Sequence, residues 1–244
     1  MVTASRATER AGPFLGAMIA TLPVSTGPIY AFLAIDHGAQ FISDSALMGV
    51  AGTTATVAFV ATHAVVAQRF STPVCVLAAT ACWFATAYAL QLRTWTLVEV
   101  CVLFAACFAA AILGLRRFVV EIKAPPMPRV RFDLALRSAL VACVVVATTI
   151  AGNAVGPEAT GVLATYPVVF TSLVLILQPR WGGPFVASLL VSALKGLVGF
   201  GIALGVLHLA AARMGSGWAL VIALAVAVGW NRALLLVRRR PRRA

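Results

Sequence analysis

The chain has 244 residues, of which 61% are hydrophobic and 11% charged, and a formal net charge of +12. A soluble domain carries about a quarter charged residues, so this chain cannot cover a water-facing surface and its solvent is lipid. Its arginines gather at the ends of apolar runs, which is the membrane-orientation pattern, and this excludes nucleic acid as the partner of the positive charge.

A spanning helix needs about 20 mostly apolar residues. On that rule the expected fold is all-α, a polytopic bundle of eight spans at 12–35, 41–68, 73–92, 96–116, 133–153, 157–178, 184–212 and 217–237. The first run follows a short basic head, as a signal peptide would. Its recurrence in the second half marks it as structure. In the second run, Ser43-Asp44-Ser45 reads as interfacial capping. Thr53, Thr54 and Thr56 can bond back to their own helix there, and Gly52 allows close helix approach. Glu99 stands near the start of the fourth run, where a negative charge suits the helix dipole. The five cysteines lie inside apolar runs with no C-x-x-C pair, as small buried hydrophobes do. The longest loop, Arg116–Arg131, divides the chain into a first half, 1–122, and a second, 123–244. Near the end of the last run, Trp230-Asn231-Arg232 reads as aromatic belt and snorkelling arginine.

The halves share a skeleton about 144 positions apart. Gly12-Pro13 answers Gly156-Pro157, and Ala20-Thr21-x-Pro23 answers Ala164-Thr165-x-Pro167. At the same offset Gly38 falls on Gly182, Phe41 on Phe185 and Gly52 on Gly196. The cationic tail RRRPRRA and an even number of spans put both termini in the cytoplasm. Arg69, Arg116, Arg117, Lys123, Arg129, Arg131 and Arg180 then lie inside, and only Arg93 and Arg213 lie in outer loops. Five spans separate the starts of the two proline-broken runs, so the repeat is expected to be inverted, with a pseudo-two-fold axis in the membrane plane. Span 96–116 is expected to be the mate of 133–153.

Ala20–Pro23, then Gly52, then Ala79-Thr80-Ala81-Cys82-Trp83-Phe84 follow one another in half one. In half two the order is Ala164–Pro167, Gly196 and Ala227-Val228-Gly229-Trp230. This order resembles the small four-span GlpM-type inner-membrane proteins of bacteria. The resemblance implies an integral inner-membrane protein made of two fused, inverted units. It carries over no activity and no functional residue.

The candidate chemistry lies at the two breaks. Proline removes a backbone donor and frees a carbonyl one turn back. In hydrocarbon, irregular backbone is tolerated only against protein or a wet cavity. A central polar site is therefore expected, lined by Thr21, Pro23, Ser25, Thr26, Tyr30, Thr165, Tyr166, Pro167, Thr171 and Ser172. Lys195, about the middle of its span, is expected to reach in and neutralise a small anionic solute. His63 and His208 fall near opposite membrane faces, so they read as hydrogen-bonded helix-end residues and not as a shared metal site. No metal and no cofactor are expected. The motifs G-x-x-x-x-G-K-[ST], H-E-x-x-H and D-D-x-x-D are absent, which argues against nucleotide drive and an intramembrane enzyme. The expected function is a small secondary carrier or exporter working by alternating access in a bacterial inner membrane. The alternative is a non-transporting scaffold of an envelope-polymer or lipid pathway. Expected partners are membrane lipid, a small anionic solute, and either a second copy of the chain or a membrane partner protein.

Overall fold

A computed structural model describes residues 26–119 and 156–239. Every regular element among them is helical. In chain order they are α1 (Thr26–Asp36), α2 (Ala39–Val66), α3 (Thr72–Leu90) and α4 (Leu97–Gly114). A 3-10 turn at Arg116–Phe118 follows α4. The second stretch holds α5 (156–163), α6 (Val168–Trp181), α7 (Gly183–Met214) and α8 (Ser216–Arg239). By length and hydropathy, α2, α3, α4, α7, α8 and the α5–α6 pair taken together are each able to cross a bilayer. The chain is a helical membrane protein. Span 133–153 and the residues of span 12–35 before Thr26 lie outside the described residues, as does the seam between halves beyond residue 119.

The helices end where the sequence punctuates them. Ser71 stands at the N-cap of α3 with proline in the first turn, where a missing N–H is harmless. Thr96 and Glu99 form a reciprocal capping box at the start of α4. Gly182 and Gly215, at φ +81° and +84°, are the single-residue links on either side of α7. Only glycine takes that backbone conformation without strain. Asp44 is not a cap: it lies in the second turn of α2, where the Gln40 amide donates to its carboxylate at 2.9 Å.

Two kinds of helix are present. In their most apolar windows α2 and α5–α6 are each 72% buried and α7 is 67% buried, against 28% for α3 and 17% each for α4 and α8. The first three form the centre and the others the outer ring. The outer helices expose Leu77 and Tyr88 on α3, Val98 and Leu113 on α4, and Trp218 and Leu224 on α8. Such continuous apolar exposure is stable only against lipid.

At the centre α2 and α7 are antiparallel, with Ser43 against His208 and Gly49 against Leu204. α2 and the α5–α6 pair run in the same direction: Ser45 meets Gly161, Thr56 meets Thr165, and His63 meets Gln178. Two pairs of helices start 144 positions apart, α2 with α7 and α3 with α8. The packing follows the same exchange. α3 packs on α6, and α8 packs on α1.

Candidate functional site: the break between α5 and α6

The expected span 157–178 is two helices. α5 stops at residue 163, residues 164–167 turn, and α6 begins with Pro167 at its N-cap. Proline has no N–H, and its ring excludes the carbonyl four residues back, so the ladder cannot pass this point. α6 then continues three residues past the expected end, to Trp181.

A break inside a membrane leaves backbone groups that water cannot reach, and the neighbouring hydroxyls take up the carbonyls. Thr26 of α1 donates to the Ala164 carbonyl at 3.1 Å, and Thr56 of α2 donates to the Thr165 carbonyl at 3.0 Å. Thr165 itself turns back onto the Val162 carbonyl, and Thr171 onto that of Pro167. The Val168 N–H closes on the Tyr166 carbonyl. Thr53 and Thr54 bond back to their own helix as expected, but Thr56 crosses to the break.

The approach of α2 is set by small residues at helical spacing. Ser45, Gly49, Gly52 and Thr56 share one face of α2. A Cβ on Gly161 would collide with the Ser45 carbonyl, and one on Gly52 with the Thr165 hydroxyl. Tyr30 of α1 donates to the same Ser45 carbonyl at 2.9 Å. On the opposite side, α3 brings Thr80 and Trp83. The Trp83 ring meets Tyr166 edge-on, with centroids 5.1 Å apart. Tyr166 Oη is 3.4 Å from Thr80 Oγ1 and 3.5 Å from Thr171 Oγ1, at the outer limit of hydrogen bonding.

Two polar groups in this region have no partner among the described residues: the Trp83 indole N–H and the Ser45 hydroxyl, both fully buried. Buried donors left unpaired are rare in native structures. Among the described residues the wall contains hydroxyls and an indole N–H and no charged side chain. Chemically it suits a small solute rich in hydrogen-bond acceptors.

Of the expected site residues, Thr26, Thr165, Tyr166, Pro167 and Thr171 come together here. Tyr30 lies on the flank, at the Ser45 carbonyl. Ser172 is buried but bonds within α6, to the Val169 carbonyl at 2.8 Å. Thr21, Pro23 and Ser25 lie outside the described residues. Lys195 is exposed on α7, and its ammonium has no hydrogen bond or ion pair among the described residues. Its carbonyl receives the Trp230 indole N–H at 2.8 Å, so Trp230 fastens α8 to α7. Thr56, Thr80, Trp83 and Ser45 are site residues that the sequence reading did not single out for a binding role.

A second polar link lies toward the other end of α6. His63 Nε2 donates to the Gln178 side-chain carbonyl at 2.9 Å, and the Gln178 amide donates to Cys75 Sγ at 3.2 Å. This chain of side chains ties α2, α6 and α3 together. His208 sits at the far end of α2, cross-bonded to Ser43. The two histidines are thus apart, each in a helix–helix link of its own. No family model, curated protein or solved structure matches the chain.

Proposed function

We propose that this protein is a small secondary carrier that moves an acceptor-rich solute by alternating access around the α5–α6 break. One observation carries the reading: a fully buried indole N–H without an acceptor among the described residues, at Trp83, beside a helix interrupted at membrane depth. Interrupted helices at the midplane are how carriers with internal repeats build their binding sites. The 144-residue offset between helix starts, and the exchange of packing partners between α3–α6 and α8–α1, support a reading as two inverted halves. In this reading the chain has eight spans in a bacterial inner membrane, with both termini cytoplasmic.

The second reading, a non-transporting membrane scaffold, also has an observation in its favour. Thr26 and Thr56 already satisfy the carbonyls at the break, and a purely structural kink needs no more than that.

Thermal unfolding of detergent-purified protein against a panel of small carboxylates, phosphates, amides and cations separates the two. A ligand at a hundred times its Kd adds about 2.7 kcal/mol to the folded state. The carrier reading expects one solute class to stabilise the native protein and to lose its effect with Trp83→Phe. Lys195→Leu then identifies the charge recognised: loss of the shift marks an anion met by that ammonium, and retention marks a solute held by neutral donors alone. If no soluble compound shifts the native protein, the scaffold reading takes its place.

A further inference from the structure

A groove of about 660 Å³ runs between α2, α3 and α4, away from the break. Small side chains make it, among them Ala61, Ala89, Ala110 and Gly114. Its two threonines, Thr54 and Thr86, donate to carbonyls of their own helices, at 2.7 and 2.9 Å. The wall therefore offers apolar surface. Along α4 it extends from Leu103 to Leu115, about 18 Å at 1.5 Å per residue. Trp95 stands before the first turn of α4 and Leu115 just past its last, so the groove follows the helix across most of a ~30 Å core.

At one end the groove is closed by Trp95, an interfacial residue type. The guanidinium of Arg93 lies over that ring, 4.2 Å from its centroid. Arg93 also pairs with Glu99, and both side chains are exposed, 53% and 42%. Through Nη2 the guanidinium holds Glu99, and its remaining N–H groups have no partner among the described residues. The carboxylate is held in turn by the Thr96 backbone and hydroxyl. A purely anionic headgroup would meet Glu99 as well as Arg93. A zwitterionic headgroup offers phosphate to the arginine fork and ammonium to the carboxylate.

We propose that this groove holds one acyl chain of a zwitterionic phospholipid, with its phosphate on Arg93 and its ammonium on Glu99. The inference stands apart from solute transport. Native mass spectrometry of protein in mild detergent, titrated with phosphatidylethanolamine or phosphatidylglycerol of the same acyl chains, tests it. The expected result is one retained phospholipid, with phosphatidylethanolamine bound several-fold more tightly. Ala110 is exposed on α4, so Ala110→Trp fills the groove without entering the core and is expected to weaken binding at least tenfold. Arg93→Gln is expected to abolish the headgroup preference. Leu224→Trp, on the exposed face of α8, is expected to change neither. Equal binding by native and Ala110→Trp protein overturns the proposal, as does an equal loss with Leu224→Trp. Should Ala110→Trp fail to give monodisperse protein, thermal stabilisation of native protein by the two lipids decides, and equal shifts overturn it.

Discussion

Removing the Thr56 hydroxyl strands the Thr165 carbonyl where water cannot reach it. Thr56→Val keeps the shape and loses the donor, so the expected cost is about 1–3 kcal/mol. Thr53→Val and Thr54→Val are the controls. Their hydroxyls bond to Val50 and Ala51 carbonyls that belong to the ladder of α2, so each is expected to stay within roughly 0.5 kcal/mol of native. Unfolding in mixed micelles would read all three. Equal losses at the three positions would show that the break gains nothing from Thr56. The His63–Gln178 link invites a double-mutant cycle with His63→Phe and Gln178→Leu. Side-chain bonds between membrane helices couple by about 0.6 kcal/mol and at most roughly 1.7. The expected coupling lies toward the upper figure, because both side chains are buried and neither has water as a substitute. Strict additivity would count against the link.

At the scale of helices, the approach of α5 to α2 depends on the absence of a side chain at residue 161. Gly161→Ala drives a methyl into the Ser45 carbonyl, a backbone atom that cannot step aside. The expected loss is about 1–3 kcal/mol, as for other overpacked interfaces. Gly205, inside α7, has nothing among the described residues within 4 Å of the place a Cβ would occupy. Gly205→Ala is therefore expected to stabilise, by roughly 0.5–1 kcal/mol, through the entropy of the unfolded chain alone. The opposite signs are the test, and a loss at both positions would mean that glycine serves some other purpose in α7. The break itself was legible in the sequence because Pro167 interrupts a hydrogen-bond ladder wherever it stands. The direction of the threonines was not. These helices are apolar on every side, so no polar stripe reveals which face meets a neighbour. Thr54 and Thr56 differ only in rotation about α2. Trp83 gives no such signal either, because a tryptophan in an apolar run looks the same whatever its N–H meets. Lys195 misled for a related reason. Depth along a span can be counted from the sequence, but orientation around it cannot, and its side chain is exposed on α7.

For the molecule as a whole, the spans wholly within the described residues follow the expected order, with ends shifted by up to three residues. Charge and length sufficed for that. The relative directions also follow strict alternation: α2 opposes α7 and runs with α5–α6, and the Thr80–Tyr166 and Cys75–Gln178 contacts set α3 against α5–α6. What alternation does not give is which side faces the cytoplasm, and the basic residues supply an expectation. Arg69 and Arg116–Arg117 flank the links after α2 and α4, whereas the link after α3 carries Arg93 paired with Glu99. Excess positive charge stays inside. In a cysteine-free background, Ser71→Cys and Arg117→Cys should therefore resist a membrane-impermeant maleimide until the cells are opened. Gln91→Cys and Gly38→Cys should react in intact cells. Reaction of all four from one side would break the alternation and with it the inverted halves. A clean reversal would keep the fold while turning the protein over and would be compatible with the proposed inverted halves, because a two-fold axis in the membrane plane would make the two orientations nearly equivalent in packing. Only the charges then decide. Arg69, Arg116 and Arg117 replaced together by glutamine should weaken that bias and give a mixed labelling pattern.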